Sequence, residues 1–572
     1  MKKKTLSLIL IAVMILSLLS ACAGNSDKQT NDDTSPATDD KSPTTNEESP
    51  APSESEPTEL ATDLEPYTFT IYYNYDWWTI KPWGEDSTSK YWKEKFNLTI
   101  EHTKPDADAA AKLNLMISGG DLPDVIEMDR TADWRRMAKM DLFVDLAPLQ
   151  AANPTLDENV AQSTQELLKI DGKLYSVPHW VRKGPTGGND VWMYDKRLYE
   201  QAGSPPLKTF EDLYAYAKNV KDNIATTKEG LPVIPFSTEN NANAFDKITG
   251  AFYRSMGGAN KTTTYTARID GKIQSVLRDP VFRAATMEAN KWYREGLIAE
   301  TQFSDTNDQI IEKFTSGRTA LLYYDHSQDS VNRFRQILMN TYPDDTYEIV
   351  VDPVYPPAQG VDHVFADHKE TIGWNVLNIT TKTEKPQRIF DFLTYMLTKQ
   401  GSIEMMYGPQ GKWWDELDKE GNPILKTPES ELSTEEKDKI GAWFWSFCSH
   451  SDNVDLTKFA VNAMQPPEKQ DWVISTQANI LTPIMFVSDE YVGLDNDIDP
   501  LSDLGIQRTL CEEQYKAEMP KIIMAGTAEE AERLYDALLK FFDDNNFAGV
   551  EAIYDAKHQE NVAIQGGSAF DK

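Results

Sequence analysis

Cysteine, histidine and basic residues are all scarce in this chain. Only three cysteines, Cys22, Cys448 and Cys511, stand among 572 residues. That excludes a disulfide-built scaffold; Cys448 and Cys511 either pair or sit as two buried free thiols. The seven histidines are scattered. His363 and His368 are too far apart in sequence to align on a helix, and no Cys or carboxylate set completes a metal site beside them. There is no His-Glu-x-x-His, no Gly-x-Ser-x-Gly, no phosphate loop and no dinucleotide glycine pattern. Gly408-Pro-Gln-Gly411-Lys412 lacks both the spacing and the Ser/Thr of a phosphate loop. Lysine and arginine number 57 against 91 acidic residues, a net charge of −34. That balance argues against nucleic acid and against unaided docking on anionic lipid. Long apolar runs are missing too. Residues 6–19 (LSLILIAVMILSLL) form the one such stretch, short of the about 20 residues of a comfortable membrane span. No internal repeat is visible.

What is present starts with that run. Lys2, Lys3 and Lys4 precede it, so residues 1–21 read as an export signal. Leu19-Ser20-Ala21-Cys22 resembles the lipobox of bacterial lipoproteins, which implies cleavage before Cys22 and diacylation of its thiol. The alternative is an ordinary secretory signal with an incidental cysteine. A diacylated cysteine anchors stably, where one acyl chain does not. Residues 22–66 then read as the lipidated Cys22 and a disordered acidic tether: positions 23–66 hold 12 acidic and 2 basic residues and no aromatic. Such a stretch buries too little apolar surface to offset its ordering entropy, and its charge keeps it extended.

The remainder, from Tyr67 on, is long enough for two lobes and reads as α/β. YTFTIYY (67–73) alternates as a strand, 86–96 as a helix, Leu98–Glu101 as a strand, and Ala109, Leu113, Met116 and Ile117 as a helix stopped at Gly119-Gly120. Val125-Ile126 opens a third strand. That order implies parallel pairing, with ligands at the carboxyl ends of the strands. Further helices are expected after a capping box at Thr209–Asp212, after Asp279-Pro280, from Pro386 to a stop at Gly401, and from Thr527. Strands are expected at 320–324 and 347–351.

Six landmarks in order resemble one family. They are KLNLMISGGDLPDVIEMD (112–129), DLFVDLAPL (141–149), DGKLYSVPHW (171–180), VWMYDKRLYEQAGSPPLKTFEDLYAYAK (191–218), FTSGRTALLYY (314–324) and TKQGSIEMMYGPQGKWWD (398–415). The chain resembles an extracellular solute-binding lipoprotein of the large sugar-binding type (family 1), a partner of ABC importers. The resemblance implies a two-lobed periplasmic-binding-protein-like fold, with central sheets flanked by helices and a hinge of crossing strands. The expected division is 67–180 with 356–408 for the first lobe, and 181–355 with 409–572 for the second. Crossings are expected near 178–182, 352–357 and 408–411. Some relatives hold calcium in a loop resembling Asp-x-Asn-Gly-x-Gly before an Ile-Pro-Phe-Ser segment. Here Val233–Ser237 keeps the segment, but Ile224, Ala225 and Lys228 stand in the preceding loop, so no metal is expected there. Asp418-Lys-Glu-Gly421-Asn422 reads as a polar hairpin.

Sugar sites pair flat aromatic faces with planar hydrogen-bonding groups. Four loci fit. They are Asp76-Trp77-Trp78 after the first strand; Glu127, Asp129 and Arg130 after the third; Trp180 and Arg182 at the first crossing; and Tyr324, Asp325 and His326 at the end of a strand in the second lobe. Trp374 and the pair Trp413-Trp414 join them as further ligand-binding residues, whereas Trp292, Trp443 and Trp445 read as core, the last two in a helix-like run. The expected function is capture of an oligosaccharide in the interlobe cleft, without chemistry and without a cofactor, by a monomer. That monomer would be lipid-anchored at the outer face of the cytoplasmic membrane of a Gram-positive bacterium and would serve transmembrane ABC subunits. A peptide-binding lipoprotein of the same fold, with Arg130 and Asp129 meeting the peptide termini, is one alternative. A surface-anchored saccharide-acting enzyme is another, because paired carboxylates across a sugar bond cannot be recognised from sequence alone. An acidic saccharide stays open through Arg130, Arg182 and Lys183.

Overall fold

The computed structural model describes residues 65–184, 186, 190–240, 244–258, 265–325, 328–342, 348–364 and 368–569. Residues 1–64, where the export signal, Cys22 and the tether are expected, and His326 lie outside the described residues. In chain order the strands are β1 (Tyr67–Tyr73), β2 (Leu98–Thr103), β3 (Val125–Asp129), β4 (Ser176–Pro178), β5 (Asp190–Asp195), β6 (Ile234–Thr238), β7 (Thr266–Ile269), β8 (Lys272–Ser275), β9 (Thr319–Asp325), β10 (Glu348–Val350), β11 (His368–Lys369), β12 (Asn375–Ile379), β13 (Trp414–Leu417), β14 (Pro423–Leu425) and β15 (Phe486–Val487).

The first sheet has the order β2-β1-β3-β12-β4. β1 runs parallel to β2 and β3, with Ile71 opposite Val125, while β12 runs antiparallel to β3 and β4. β1 is interior, so Ile71, Tyr72 and Tyr73 are all buried where both faces are covered. The helices Ser87–Phe96 and Ala109–Gly119 supply the expected crossovers, each opened by an aspartate accepting from a backbone N–H of its first turn. The second sheet has the order β10-β5-β9-β6, with β6 parallel to β9 and β5 antiparallel to it. The Thr209–Asp212 capping box forms in full, Asp279 caps Pro280–Arg294, and Thr527 caps Ala528–Asp544.

One helix boundary differs from the reading. The helix from Pro386 ends at Leu397, and a new one, Lys399–Tyr407, starts from the cap Thr398. Gly401 lies inside that second helix. It is glycine because a Cβ there would meet the Tyr395 carbonyl oxygen at 2.2 Å, not because a helix stops.

Each sheet has its own core. Ile71, Val125, Val376, Trp92, Trp134 and Phe392 pack around the first, and Trp192, Phe236, Phe252, Trp292, Leu321 and Tyr323 around the second. A small third cluster joins Ile403, Tyr407, Trp413, Trp414 and Val461. These cores move two of the expected crossings. Tyr355 belongs to the second core, and the amide of Ala358 still donates to Ser255 O, while Ile372 belongs to the first core. The chain therefore passes back between 358 and 372. Trp443, Phe447 and Cys448 are buried in the first core, whereas Val473 and Leu481 lie in the second. The chain thus passes to the second core between Cys448 and Val473 rather than at 408–411, where Gly408 leads into the β13–β14 hairpin, and Val492 packs into the first core once more. Cys448 and Cys511 are free thiols in different cores. Among the described residues no helix is long and apolar enough to cross a membrane.

The lobes are tied through residues 368–371 and 486–498. β11 pairs with β15, the amide and hydroxyl of Thr371 donate to Asp489, and the Thr371 hydroxyl also meets Thr164 at 2.8 Å.

Candidate functional site

Four indole rings line up at one edge of the first sheet. β1, β3 and β4 end there and β12 begins there, with Asn375 opposite Asp129. Trp77 and Trp78 follow β1 in a turn rather than the expected extended segment, the Trp78 amide donating to Tyr75 O, and the turn seats one ring on the sheet and leaves the other outside it. Trp78 is 4 % exposed and stacks on Tyr73 at 5.0 Å and Tyr75 at 5.4 Å. Trp77 is 62 % exposed and lies nearly parallel to Trp374, with centroids 6.0 Å apart. Trp374 meets Trp445 edge-on at 6.2 Å, and Trp445 meets Trp180 at 5.2 Å. Trp77 and Trp445 are exposed and Trp374 and Trp180 part-buried; open aromatic faces suit the C–H faces of sugar rings.

Trp445 departs from the reading. The segment 442–449 is a turn rather than a helix, so Trp443 is buried while Trp445, two residues on, is 43 % exposed. Its signal was faint: a helical spacing laid over a sequence that does not form one.

The backbone behind this row is held tightly. Trp180 adopts φ +61, uncommon for a bulky residue. Gly373 packs against it so closely that a Cβ would meet His179 O at 2.1 Å. The Arg130 guanidinium donates to the carbonyls of Gly373 and Trp374, each at 2.8 Å, and to Ile372 at 3.4 Å, and pairs with Glu370 at 3.5 Å. Arg130 is thus the clamp of the Trp374 loop and not a free ligand contact. Asp129 accepts from the Tyr75 hydroxyl at 2.8 Å. Glu127 is 0 % exposed; it lies beneath the row, accepting from Asn375 Nδ2 at 2.7 Å and facing His179 Nδ1 at 3.2 Å. Burial raises its pKa, opposed by His179 and Asn375. Asp76 is exposed, and its backbone carbonyl accepts from Lys104. Arg182 donates to Thr186 O at 3.0 Å, and its amide donates to Thr371 O, so it belongs to the joint between the lobes.

Trp413 and Trp414 do not reach this row. Both are buried in the third cluster, with ring N–H groups donating to Thr427 O and Gly408 O. Their place after a Tyr-Gly-Pro turn looked loop-like, but the hairpin folds them inward.

The second sheet presents carboxylates at the end of β9. Asp190 pairs with Asp325 across β5 and β9. Lys247 bridges Asp190 at 2.9 Å and Glu239 at 2.5 Å. Asp325 Oδ1 has no hydrogen-bond partner among the described residues. Burial, then Asp190 and Glu239, push the Asp325 pKa up to about 7, against the pull of Lys247 and Lys369. Tyr324 is a core residue instead, its ring edge-on to Phe334 and only its hydroxyl accepting from Asn307. Asp190, Glu239 and Lys247 were missed. Glu239 directly follows β6, so the same strand-end logic that picked Asp325 reaches it. Lys369 acts on Asp325 while its neighbour Glu370 pairs with Arg130, so the 369–370 stretch lies between the two edges.

The loop after residue 223 is closed by its own bonds. The amide of Thr227 donates to Leu231 O and that of Val233 to Ala225 O. Among the described residues no group of three or more His, Cys, Asp or Glu is placed to hold a metal ion. In the hairpin turn, Asp418 accepts from the amides of Glu420 and Asn422, which lowers its pKa.

A family model described as bacterial extracellular solute-binding protein matches residues 88–413. An uncharacterized ABC transporter extracellular-binding protein of Pyrococcus horikoshii is 22 % identical over 235 residues, 39 % of this chain and 45 % of that protein. The fructooligosaccharide ABC transporter substrate-binding protein FusA of Streptococcus pneumoniae is 25 % identical over 228 residues, 37 % of this chain and 41 % of that protein. The matches span under half the length of these curated relatives. A crystal structure of an alginate-binding protein without calcium ion covers 87 % of this chain and 99 % of its own, with TM-score 0.63 and 16 % identity. At that identity the likeness speaks for the fold.

Proposed function

We propose that this chain, which belongs to the family of bacterial extracellular solute-binding proteins, is the substrate-binding component of an ABC importer and captures a neutral oligosaccharide between its lobes without altering it. The observation that carries the reading is the row Trp77, Trp374, Trp445 and Trp180, whose two most exposed rings belong to no core. A relative points the same way: FusA of Streptococcus pneumoniae is a fructooligosaccharide ABC transporter substrate-binding protein, and its own structure holds kestose. From the second lobe, Asp325, Glu239 and Asp190 supply carboxyl groups for sugar hydroxyls, accepting such bonds when ionised and donating one when protonated.

The charge at the site favours a neutral ligand. Arg130, the natural partner for a uronate, is taken up by backbone carbonyls and Glu370. The same arrangement weakens the peptide alternative, since Arg130 and Asp129 already have partners. Cys22 and the acidic tether support a lipid anchor that holds a monomer beside the transmembrane subunits of its importer. The decisive experiment is a thermal-shift screen of purified protein against neutral oligosaccharides, uronates and peptides, since a ligand bound only by the native state raises Tm. A neutral oligosaccharide should raise Tm and be recovered intact; a response to peptides alone, or turnover of the sugar, refutes the reading. Cys22→Ser should release the protein from membranes or leave it unprocessed, and full membrane retention of correctly cleaved mutant refutes the anchor.

A further inference from the structure

Behind the row of rings lies a buried polar pair with an unusual pattern of partners. His179 and Glu127 are both 0 % exposed. His179 Nδ1 faces Glu127 Oε1 at 3.2 Å, and His179 Nε2 faces the carbonyl oxygen of Phe444 at 3.1 Å. A carbonyl only accepts, and an ionised carboxylate only accepts. Both contacts are hydrogen bonds only if one extra proton is shared by the pair. Either both ring nitrogens carry hydrogen beside a carboxylate, or Nε2–H donates to Phe444 while a protonated Glu127 donates to Nδ1. Without that proton one of the two contacts faces an acceptor with an acceptor, in a site where an unpaired polar group costs most.

We infer that Glu127 and His179 are positioning residues that share one buried proton, and that this proton holds the Phe444–Trp445 turn, and with it the exposed face of Trp445, where a ligand meets it. The hold is direct. Phe444 precedes Trp445, Trp445 packs on Trp180 at 5.2 Å, and His179 precedes Trp180 and stacks on it at 5.7 Å. The same Glu127 oxygen accepts from Asn375, next to Trp374, so one carboxyl group backs both halves of the row. The geometry does not depend on what binds; only the consequence for affinity rests on the oligosaccharide reading.

The titratable groups facing the pair are Tyr73 from β1, Tyr75 from the loop after it, Asp129 from β3, and Cys448 beyond the turn. Burial and the charge of Glu127 push Tyr73 and Cys448 well above their ordinary values; Tyr75 is likewise raised, by burial and then by Asp129. His102, bonded to the Tyr73 hydroxyl, is lowered to about 4 by burial. Asp129 is occupied by the Tyr75 hydroxyl.

The test uses the full chain without ligand. Near-ultraviolet circular dichroism of the Trp180–Trp445 contact is followed over the pH range in which far-ultraviolet dichroism holds steady, with Trp445→Phe identifying that signal. Wild type should lose the signal as pH rises while far-ultraviolet dichroism holds steady. Glu127→Gln should give a signal that no longer changes with pH, because an amide has no acidic proton to share with the ring. His179→Phe should lack it at every pH. Nitrogen-15 spectra of the wild-type histidines should show His179 Nε2 protonated while that signal is present, since it faces the Phe444 carbonyl, and this needs no variant to fold. A wild-type signal constant across the range, a Glu127→Gln signal that titrates as wild type does, or an unprotonated Nε2 overturns the inference. Because no readout involves a sugar, failure here is separate from failure of the ligand reading.

Discussion

Trp77 and Trp78 are adjacent, chemically identical and placed in opposite environments, so replacing each by alanine separates binding from folding. A Trp side chain offers up to about 250 Å² of surface. Trp78, 4 % exposed, buries roughly 240 Å² of that, an upper bound of ~6 kcal/mol at ~25 cal/mol per Å². Measured Trp→Ala losses in cores run to about 3–5 kcal/mol, and the range suits a ring stacked on Tyr73 and Tyr75. Trp77, 62 % exposed, buries roughly 95 Å², at most ~2 kcal/mol by the same measure. Trp78→Ala should therefore lower Tm clearly, and Trp77→Ala only slightly. In calorimetric titration with the oligosaccharide found by screening, the order reverses. Trp77→Ala should weaken binding by about 1–3 kcal/mol, the loss of a well-packed aromatic contact, or roughly 5- to 150-fold in Kd. Folded Trp78→Ala should lose less affinity. Wild-type affinity in Trp77→Ala, or equal destabilisation by the two changes, would refute the assignment of an exposed binding face to Trp77 and a core role to Trp78.

Other expectations concern the clamp, the second lobe and metal. Arg130→Met leaves the Gly373 and Trp374 carbonyls without their donor; at about 1–3 kcal/mol for each buried group left unpaired, denaturant titration should show a clear stability loss, and affinity should fall as Trp374 shifts. Asp325 keeps its proton in the folded state up to about 7, so the native state binds more protons than the unfolded chain between about pH 4 and that value. Its cost to stability is absent below that window, grows as pH rises through it, and is full above it. Asp325→Asn should therefore raise Tm at about pH 8 more than at about pH 4, and an equal shift at both would contradict the raised value. EDTA should leave Tm unchanged, and a drop reversed by calcium would reveal a metal site.

Much of the first lobe was legible because its signals are local. The β-formers of Tyr67–Tyr73, the helical spacing from Ala109 and the glycine pair after residue 118 each act within a few residues, as does the capping box at Thr209–Asp212 in the second lobe, and the structure uses each of them. The strand ends were legible as places for a site, which drew attention to Trp77 and Asp325. Legibility failed where a residue's role depends on partners far away in sequence. Arg130 has the chemistry of a ligand contact, yet its donors are taken by carbonyls more than two hundred residues on. Trp413 and Trp414 have the composition of a sugar-binding loop, yet a hairpin turns them inward.

Sequence alone determined the order of elements, the parallel start of the first sheet and the type of side chain gathered at its edge. Those follow from backbone preference, capping and apolar period, which a chain carries wherever it sits. Tertiary structure alone decided which of several equivalent tryptophans show a face. Trp443 and Trp445 stand two apart in one short turn, and one is sealed in the first core while the other lies open beside Trp180. No local rule separates them. Burial is set by what packs from elsewhere, here β4, β12 and the Phe444 carbonyl held by His179, and that arrangement exists only once the distant segments have met.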